Sequence, residues 1–322
     1  MCTTCGCNDT NALIEGKPAA SRSADDSTSH EHLHQHADGT WHSHVHGGAS
    51  AHRAGPGYVP RALGAVHATG TSASRIVQIE EDILAKNAAV ASENRRYFAD
   101  HGIFALNLVS SPGSGKTTLL EKTISAWGRR TPVAVIEGDQ QTSRDADRVR
   151  AAGAAAVQIN TGKGCHLDAQ MVAHALTHLA PGEDSLLLIE NVGNLVCPAA
   201  FDLGEAHKVV ILSVTEGDDK PLKYPDMFHA ADLLLINKID LLPYVQFNVE
   251  TASSYARRIQ PGLEILALSA QTGAGFDPWL AWLERGAVAA RARREAEVDE
   301  LRRRIAELET ALAGHGAPAP HA

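Results

Sequence analysis

Apolar positions fall into two rhythms from about residue 76 onward. Ile76, Ile79, Ile83 and Leu84 recur at helical spacing and predict an amphipathic lead-in helix. Short apolar runs follow: Phe104–Val109, Val133–Ile136, Ala155–Ile159, Leu186–Ile189, Val209–Val214, Leu233–Ile236 and Ile265–Leu268. Each is strand-length, and helix-length stretches separate them. Strands alternating with helices predict an α/β unit over 76–285, a mostly parallel sheet flanked by helices.

The flanks read differently. Residues 11–75 are rich in Ala, Ser, Thr, Gly and His and show neither helical nor alternating periodicity, so they are expected to form a flexible His-rich arm. Over 286–322, Val298, Leu301, Ile305, Leu308 and Leu312 stand at intervals of 3, 4, 3 and 4, the seam of a heptad-containing helical tail. About two heptads make a weak coiled coil on their own. Two readings stand: pairing of this helix in a dimer, or a solvated helix folded back on the domain. Residues 313–322, rich in Gly and Pro, are expected to fray.

Composition narrows the function classes. Of 322 residues, 44% are hydrophobic and 21% charged, enough to build a core. A formal net charge of −9 argues against sequence-independent nucleic-acid binding. No apolar run approaches the ~18 residues of a membrane helix. The start of the chain has neither a charged n-region nor an apolar h-region, so a cytoplasmic location without membrane association is expected. Five cysteines are too few for a disulfide scaffold, and clustered ones read as metal or redox sites.

The run Leu106–Val109 leads into Ser110-Ser111-Pro112-Gly113-Ser114-Gly115-Lys116-Thr117-Thr118 and then a helix-like stretch. Strand, Gly-rich turn and helix start are the context of a phosphate-binding loop. Backbone N–H groups of Gly113, Ser114, Gly115 and Thr118 would converge on phosphate oxygens at the positive end of the helix. Lys116 would reach the β- and γ-phosphates, and the Thr117 hydroxyl would bind Mg²⁺. Ser110 departs from the usual motif, which has glycine there.

Asn237-Lys238-Ile239-Asp240 follows a later strand. The Asp240 carboxylate can accept hydrogen bonds from guanine N1–H and N2–H₂, which adenine does not offer. Asn237 can bond the purine edge, and the Lys238 stem can pack on the ring. Ser269 and Ala270 fit a supporting loop offering a backbone N–H to guanine O6. Asp139 and Glu190 stand at strand ends beside the loop, where Mg²⁺ and its waters must be held. Lys116 and Asp139 are thus the catalytic candidates. The Gly193 N–H would sense the γ-phosphate. No arginine stands out as a finger, so turnover is expected to be slow.

Three groups of residues offer metal ligands. Cys2, Cys5 and Cys7 form C-x-x-C-G-C, able to wrap a soft or borderline ion; planar N/S ligation suits Ni²⁺ and a tetrahedral set Zn²⁺. His30, His32, His34, His36, His42, His44, His46 and His52 suit loose binding and storage of several ions. Cys165, His166 and Cys197 form the third group, with Cys197 four residues after Gly193. Three ligands leave a tetrahedral site one short, to be completed by water or across a two-fold axis. Spacing alone leaves this third group open between a metal site and two part-buried cysteines beside a surface histidine.

Taken in order, the N-terminal cysteines, the His tract, Ser-Ser-Pro-Gly-Ser-Gly-Lys-Thr, Glu190-Asn-Val-Gly-Asn-Leu-Val-Cys-Pro and Asn-Lys-Ile-Asp resemble the hydrogenase nickel-incorporation GTPases, a branch of P-loop GTPases. The resemblance covers residues 1–7 and about 76–285. It implies a GTP-dependent homodimer that hydrolyses GTP to GDP and phosphate. It implies nickel at the N-terminal cysteines and nickel or zinc at Cys165, His166 and Cys197. It also implies, as partners, a small companion nickel chaperone and the [NiFe] hydrogenase large-subunit precursor. Thr215–Pro221 resembles a family segment near the dimer interface, with Lys220 as a residue acting across it. Competing expectations are a urease-accessory-type GTPase, a nickel or zinc storage and sequestration protein, and a redox dithiol protein.

Overall fold

The structure, a computed structural model, describes residues 73–128, 130–139, 144–162 and 164–315, with short strands at 13–14, 17–18, 32–35 and 41–44. It divides into two compact units, residues 1–19 with 62–322, and residues 20–61.

In chain order the strands are β1 (Leu13–Ile14), β2 (Lys17–Pro18), β3 (His32–Gln35), β4 (Trp41–His44), β5 (Phe104–Ser110), β6 (Val133–Asp139), β7 (Ala155–Asn160), β8 (Leu186–Glu190), β9 (His207–Ser213), β10 (Leu233–Asn237) and β11 (Glu264–Ala267). The helices are α1 (Ala73–Asp100), α2 (Lys116–Trp127), α3 (Arg144–Ala151), α4 (Ala169–Leu179), α5 (Lys220–Lys223), α6 (Pro225–His229), α7 (Val249–Ile259) and α8 (Phe276–His315).

Strands β5 to β11 form the parallel core of one sheet in the order β11-β10-β9-β5-β8-β6-β7. Every apolar run read from the sequence is one of these strands. β5, β8 and β10 are buried along their whole length, which is why they read as unbroken apolar runs rather than alternating ones. One face of the sheet packs Leu119, Leu120 and Trp127 of α2 with Trp279 and Leu283 of α8; elsewhere Leu167, Val172 and Leu176 cover β6 and β7. The chain leaves β5 towards β6 on one side and returns later to β9 on the other. That switch opens a crevice at the carboxyl ends of β5, β6 and β8, where ligands bind in such sheets.

Two features differ from the sequence reading. The segment 11–75 was expected to form a flexible arm, yet four short strands lie within it. β1 pairs antiparallel with the β7 edge, Leu13 opposite Asn160 and Ile14 opposite Ile159. β3 and β4 form a hairpin with His32 opposite His44 and His34 opposite His42. The His-x-His spacing is itself a period of two, the strand period. The expected boundary at 285/286 falls inside α8, which is continuous from Phe276 to His315. Gly286 there is a point of close approach: a Cβ would collide with the Phe104 ring.

Cys2, Cys5, Cys7, His30, His36, His46 and His52 lie outside the described residues. No helix among the described residues is long and apolar enough to cross a membrane.

Candidate functional site

The turn after β5 and the start of α2 line an open cleft of about 570 Å³. Across it stand Glu137, Asp139, Glu190 and Gly193, so the glycine-rich loop and the acidic strand ends read from the sequence converge. Lys116 is buried and its ammonium donates to Ser110 Oγ at 2.8 Å; Ser114 Oγ donates to the same atom. Ser110, the departure from the glycine pattern, thus serves as the acceptor that parks the lysine. Burial pushes the Lys116 pKa down.

Thr117 Oγ1 donates to Glu190 Oε1 at 2.9 Å. The other Glu190 oxygen and one oxygen of Glu137 are buried without a protein partner. Burial raises the Glu190 carboxyl to about 7, and burial with the neighbouring Glu190 and Asp139 charges raises Glu137 to about 9. Orphaned carboxylate oxygens beside a threonine hydroxyl are the donor set a hard divalent cation takes, so the residues present fit Mg²⁺. Glu137 was missed by the sequence reading, although it stands two positions before Asp139 in the same strand.

Arg148 on α3 also lines this cleft and was not singled out. Its guanidinium donates to Glu121 at 2.7 and 3.0 Å and to Asp145 at 3.1 Å. An arginine on a separate helix carries no motif, so sequence spacing could not have found it.

At the base end, Asn237 acts as a clasp. Its Nδ2 donates to Ser114 O at 3.0 Å, and its Oδ1 accepts from Lys238 N at 2.8 Å and Ala270 N at 3.0 Å. Lys238 Nζ donates to Gly113 O at 2.6 Å. These bonds join the phosphate loop to β10. Ser269 N donates to Ala274 O at 2.8 Å, so in this structure both amides expected to face a base carbonyl are engaged, and a base would compete with Asn237 for Ala270 N–H. Asp240 keeps one buried oxygen without a partner, as a residue built to receive N–H donors would. Lys220 reaches Glu216 at 3.2 Å and Ser111 Oγ at 3.4 Å within its own chain, which sets it beside the phosphate loop.

The structure brings Cys165, His166 and Cys197 together, their ligand atoms all within 4.8 Å. Cys165 Sγ lies 2.7 Å from Cys197 Sγ and 3.5 Å from His166 Nδ1. His166 is buried, its ring 3.9 Å from Phe201, and both cysteines are half-buried. The hydrogen bond from Cys165, helped by His166, lowers the Cys197 thiol to about 4 and so favours a thiolate, the form that ligates metal.

One segment serves both places. Glu190 holds Thr117; a Cβ on Gly193 would lie 3.1 Å from Pro112 of the phosphate loop; Cys197 belongs to the cluster that could hold a metal. In between, Asn191 Oδ1 accepts from Leu167 N at 3.0 Å, and Asn194 Nδ2 donates to Cys165 O at 3.2 Å. The segment therefore clamps the 165–167 loop on its other side. Beneath it runs a buried polar chain. Asn191 Nδ2 donates to Asn107 Oδ1 at 3.1 Å, and Asn107 Nδ2 donates to Glu205 Oε1 at 3.0 Å. Lys208, pushed down in pKa by burial, donates to the carbonyls of Pro198, Ala199 and Phe201 and so fixes the turn that follows Cys197.

Comparison with known proteins follows the same lines. Residues 104–267 match the profile described as CobW/HypB/UreG, nucleotide-binding domain. The chain is 54% identical over 313 residues to the hydrogenase maturation factor HypB of Azotobacter vinelandii, covering 97% of this chain and 100% of that one. Among solved structures it is similar to hydrogenase maturation factor HypB from Archaeoglobus fulgidus, with TM-score 0.59 and 43% identity, covering 63% of this chain and 99% of the other. HypB from Helicobacter pylori in complex with nickel is alike at TM-score 0.59 and 40% identity, covering 63% and 96%.

Proposed function

The chain belongs to the HypB family of hydrogenase maturation factors, and from that premise we propose that it is a GTP-hydrolysing nickel metallochaperone that loads the [NiFe] hydrogenase large-subunit precursor. The supporting observation is the 190–197 segment, which touches the phosphate loop at Glu190 and Gly193 and ends in the ligand Cys197.

GTP is the nucleotide that answers the orphaned oxygen of Asp240. Lys116 leaves Ser110 for the β- and γ-phosphate oxygens, and Thr117, Asp139 and Glu190 hold Mg²⁺, which neutralises phosphate charge when bound. The Gly193 N–H meets the γ-phosphate, and Glu190, raised to about 7 in the empty cleft, would be held ionised beside the cation. Cleavage removes the contact at Gly193, and the segment is free to shift against Pro112. Because Asn191 and Asn194 grip the 165–167 loop, a shift changes the spacing of Cys165, His166 and Cys197 and with it the hold on nickel or zinc cargo. Three ligands leave the fourth position to water or to a second copy in a homodimer.

Nickel is the metal named with the Helicobacter pylori relative. Cys2, Cys5 and Cys7 form the entry site in this reading, and the histidines hold a reserve. The small companion chaperone and the hydrogenase precursor are the partners, in the cytoplasm. Nickel and zinc affinities of the full chain, measured with GDP and with a slowly hydrolysed GTP analogue, test it. A difference of about fivefold or more is expected, and metal must shift nucleotide preference by the same factor. Equal affinities in both states would falsify the coupling.

A further inference from the structure

Two halves of α8 have opposite fates. Trp279, Leu283, Trp282 and Ala287 are buried against the sheet and α2. The last anchors to the domain are the ion pairs of Arg291 and Arg294 with Glu183 and Asp184. Beyond them Val298, Leu301, Ile305 and Leu308 are 38%, 57%, 55% and 54% exposed. Of the two readings left open by the sequence, folding back on the domain is not what this helix does. A helix carrying an apolar stripe in water marks a surface that another element covers.

The identities along the stripe say which element. With Val298 at position a, the a layers are Val298 and Ile305 and the d layers Leu301 and Leu308; the sequence continues with Leu312 at a. β-Branched residues at a with leucine at d favour two parallel strands. The flanking charges agree. Positions g are Glu297 and Arg304, and positions e are Glu295, Arg302 and Glu309. In a parallel, in-register pair, each g faces the following e of the other helix. Glu297 then meets Arg302 of the second copy, and Arg304 meets its Glu309, both opposite in sign. An antiparallel pair overlapping the same four layers sets e against e and g against g. Its nearest contacts are Arg302 with Arg302, Arg304 with Arg304 and Glu295 with Glu309, all like-charged.

We propose that residues 298–312 are a dimerisation element, which pairs with the same segment of a second copy of this chain as a parallel, two-stranded coiled coil. This contact is distinct from the nucleotide-governed association implied by the family, because it is made by the tail and requires nothing in the cleft. Continuity with the packed half of α8 supplies the helical nucleus that an isolated segment of this length lacks.

Sedimentation of the full chain without nucleotide or metal, over a concentration series, is the test. The wild type is expected to dimerise, and Leu301→Asp with Leu308→Asp to weaken the dimer by about tenfold or more, since four apolar side chains leave the seam. Arg304→Glu alone is expected to weaken it, and adding Glu309→Arg to restore it. GTP hydrolysis per chain and metal binding at the cluster are measured alongside and should be unchanged, so failure of the nucleotide reading leaves this one legible. A wild type monomeric at every concentration overturns the proposal, as does a double aspartate variant that associates like wild type. Equal dimer constants for the two charge variants overturn the parallel pairing.

Discussion

The phosphate cleft and the cysteine cluster share a wall and are built by different means. One wall of the cleft is a contiguous stretch, Pro112 to Thr118, which offers backbone groups and a lysine; the strand ends at Glu137–Asp139 and Glu190–Gly193 face it. The cluster joins candidate ligands 32 positions apart, and amide side chains of the segment that carries Cys197 hold the 165–167 loop against it. A contiguous loop tolerates change around it; an assembled site inherits every weakness of its supports. The difference places the coupling between the two in side chains such as Asn191, not in the ligands themselves.

The comparison breaks most visibly at Lys116. Lys116→Ala should lower the rate of GTP hydrolysis by about 10²–10³-fold, because a preorganised cation aimed at developing charge is lost. Metal binding at the cluster without nucleotide should stay as it is, since nothing in the cluster touches Lys116. A parallel loss of metal would mean that the two places are one site.

Asn191 sharpens the contrast. Asn191→Ala strands the N–H groups of Leu167 and Val192 and the amide of Asn107 in a buried setting. A loss of about 3 kcal/mol in stability is expected, read by denaturant titration. The informative readout is the ratio of nickel affinities with GDP and GTP analogue, which should fall below about twofold. A ratio as large as wild type would move the linkage to Gly193 and the backbone alone.

Protons probe the cleft without touching the cluster. Glu137 has a native value of about 9 against an ordinary 4.5. A raised carboxyl adds stability that is full below the unfolded value and is lost as pH rises through the native one. The nucleotide-free chain should therefore weaken steadily from about pH 4.5 to 9, and Glu137→Gln should flatten that slope. Thermal unfolding of both proteins across this range checks it. An unchanged slope in the variant would assign the pH dependence to other groups.

How much of this was legible beforehand follows from the same contrast. The parallel strands were readable because each is an apolar run, buried along its whole length in β5, β8 and β10, and the phosphate loop because its chemistry needs adjacent residues. Asn107 was not readable. It is one polar residue inside an apolar run, and only the fold shows that it links Asn191 to Glu205. Lys208 belongs to no motif, and only the fold gives it its carbonyl partners. The hairpin of β3 and β4 escaped because histidine alternation reads as low complexity before it reads as a strand. The continuity of α8 across residue 286 was not readable, because the heptad pattern that marks the tail begins only at Val298.

The unbroken α8 has a mechanical consequence. Trp279 Nε1 donates to Thr123 Oγ1 of α2, the helix that begins at Lys116. From Trp279 to His315 the rod runs about 54 Å at 1.5 Å per residue. Rooted under the phosphate loop, such a lever turns a tilt of about 5° at its base into a sweep of about 5 Å at its tip. Small angular changes beneath the phosphate loop would thus be broadcast, enlarged, to the end of α8.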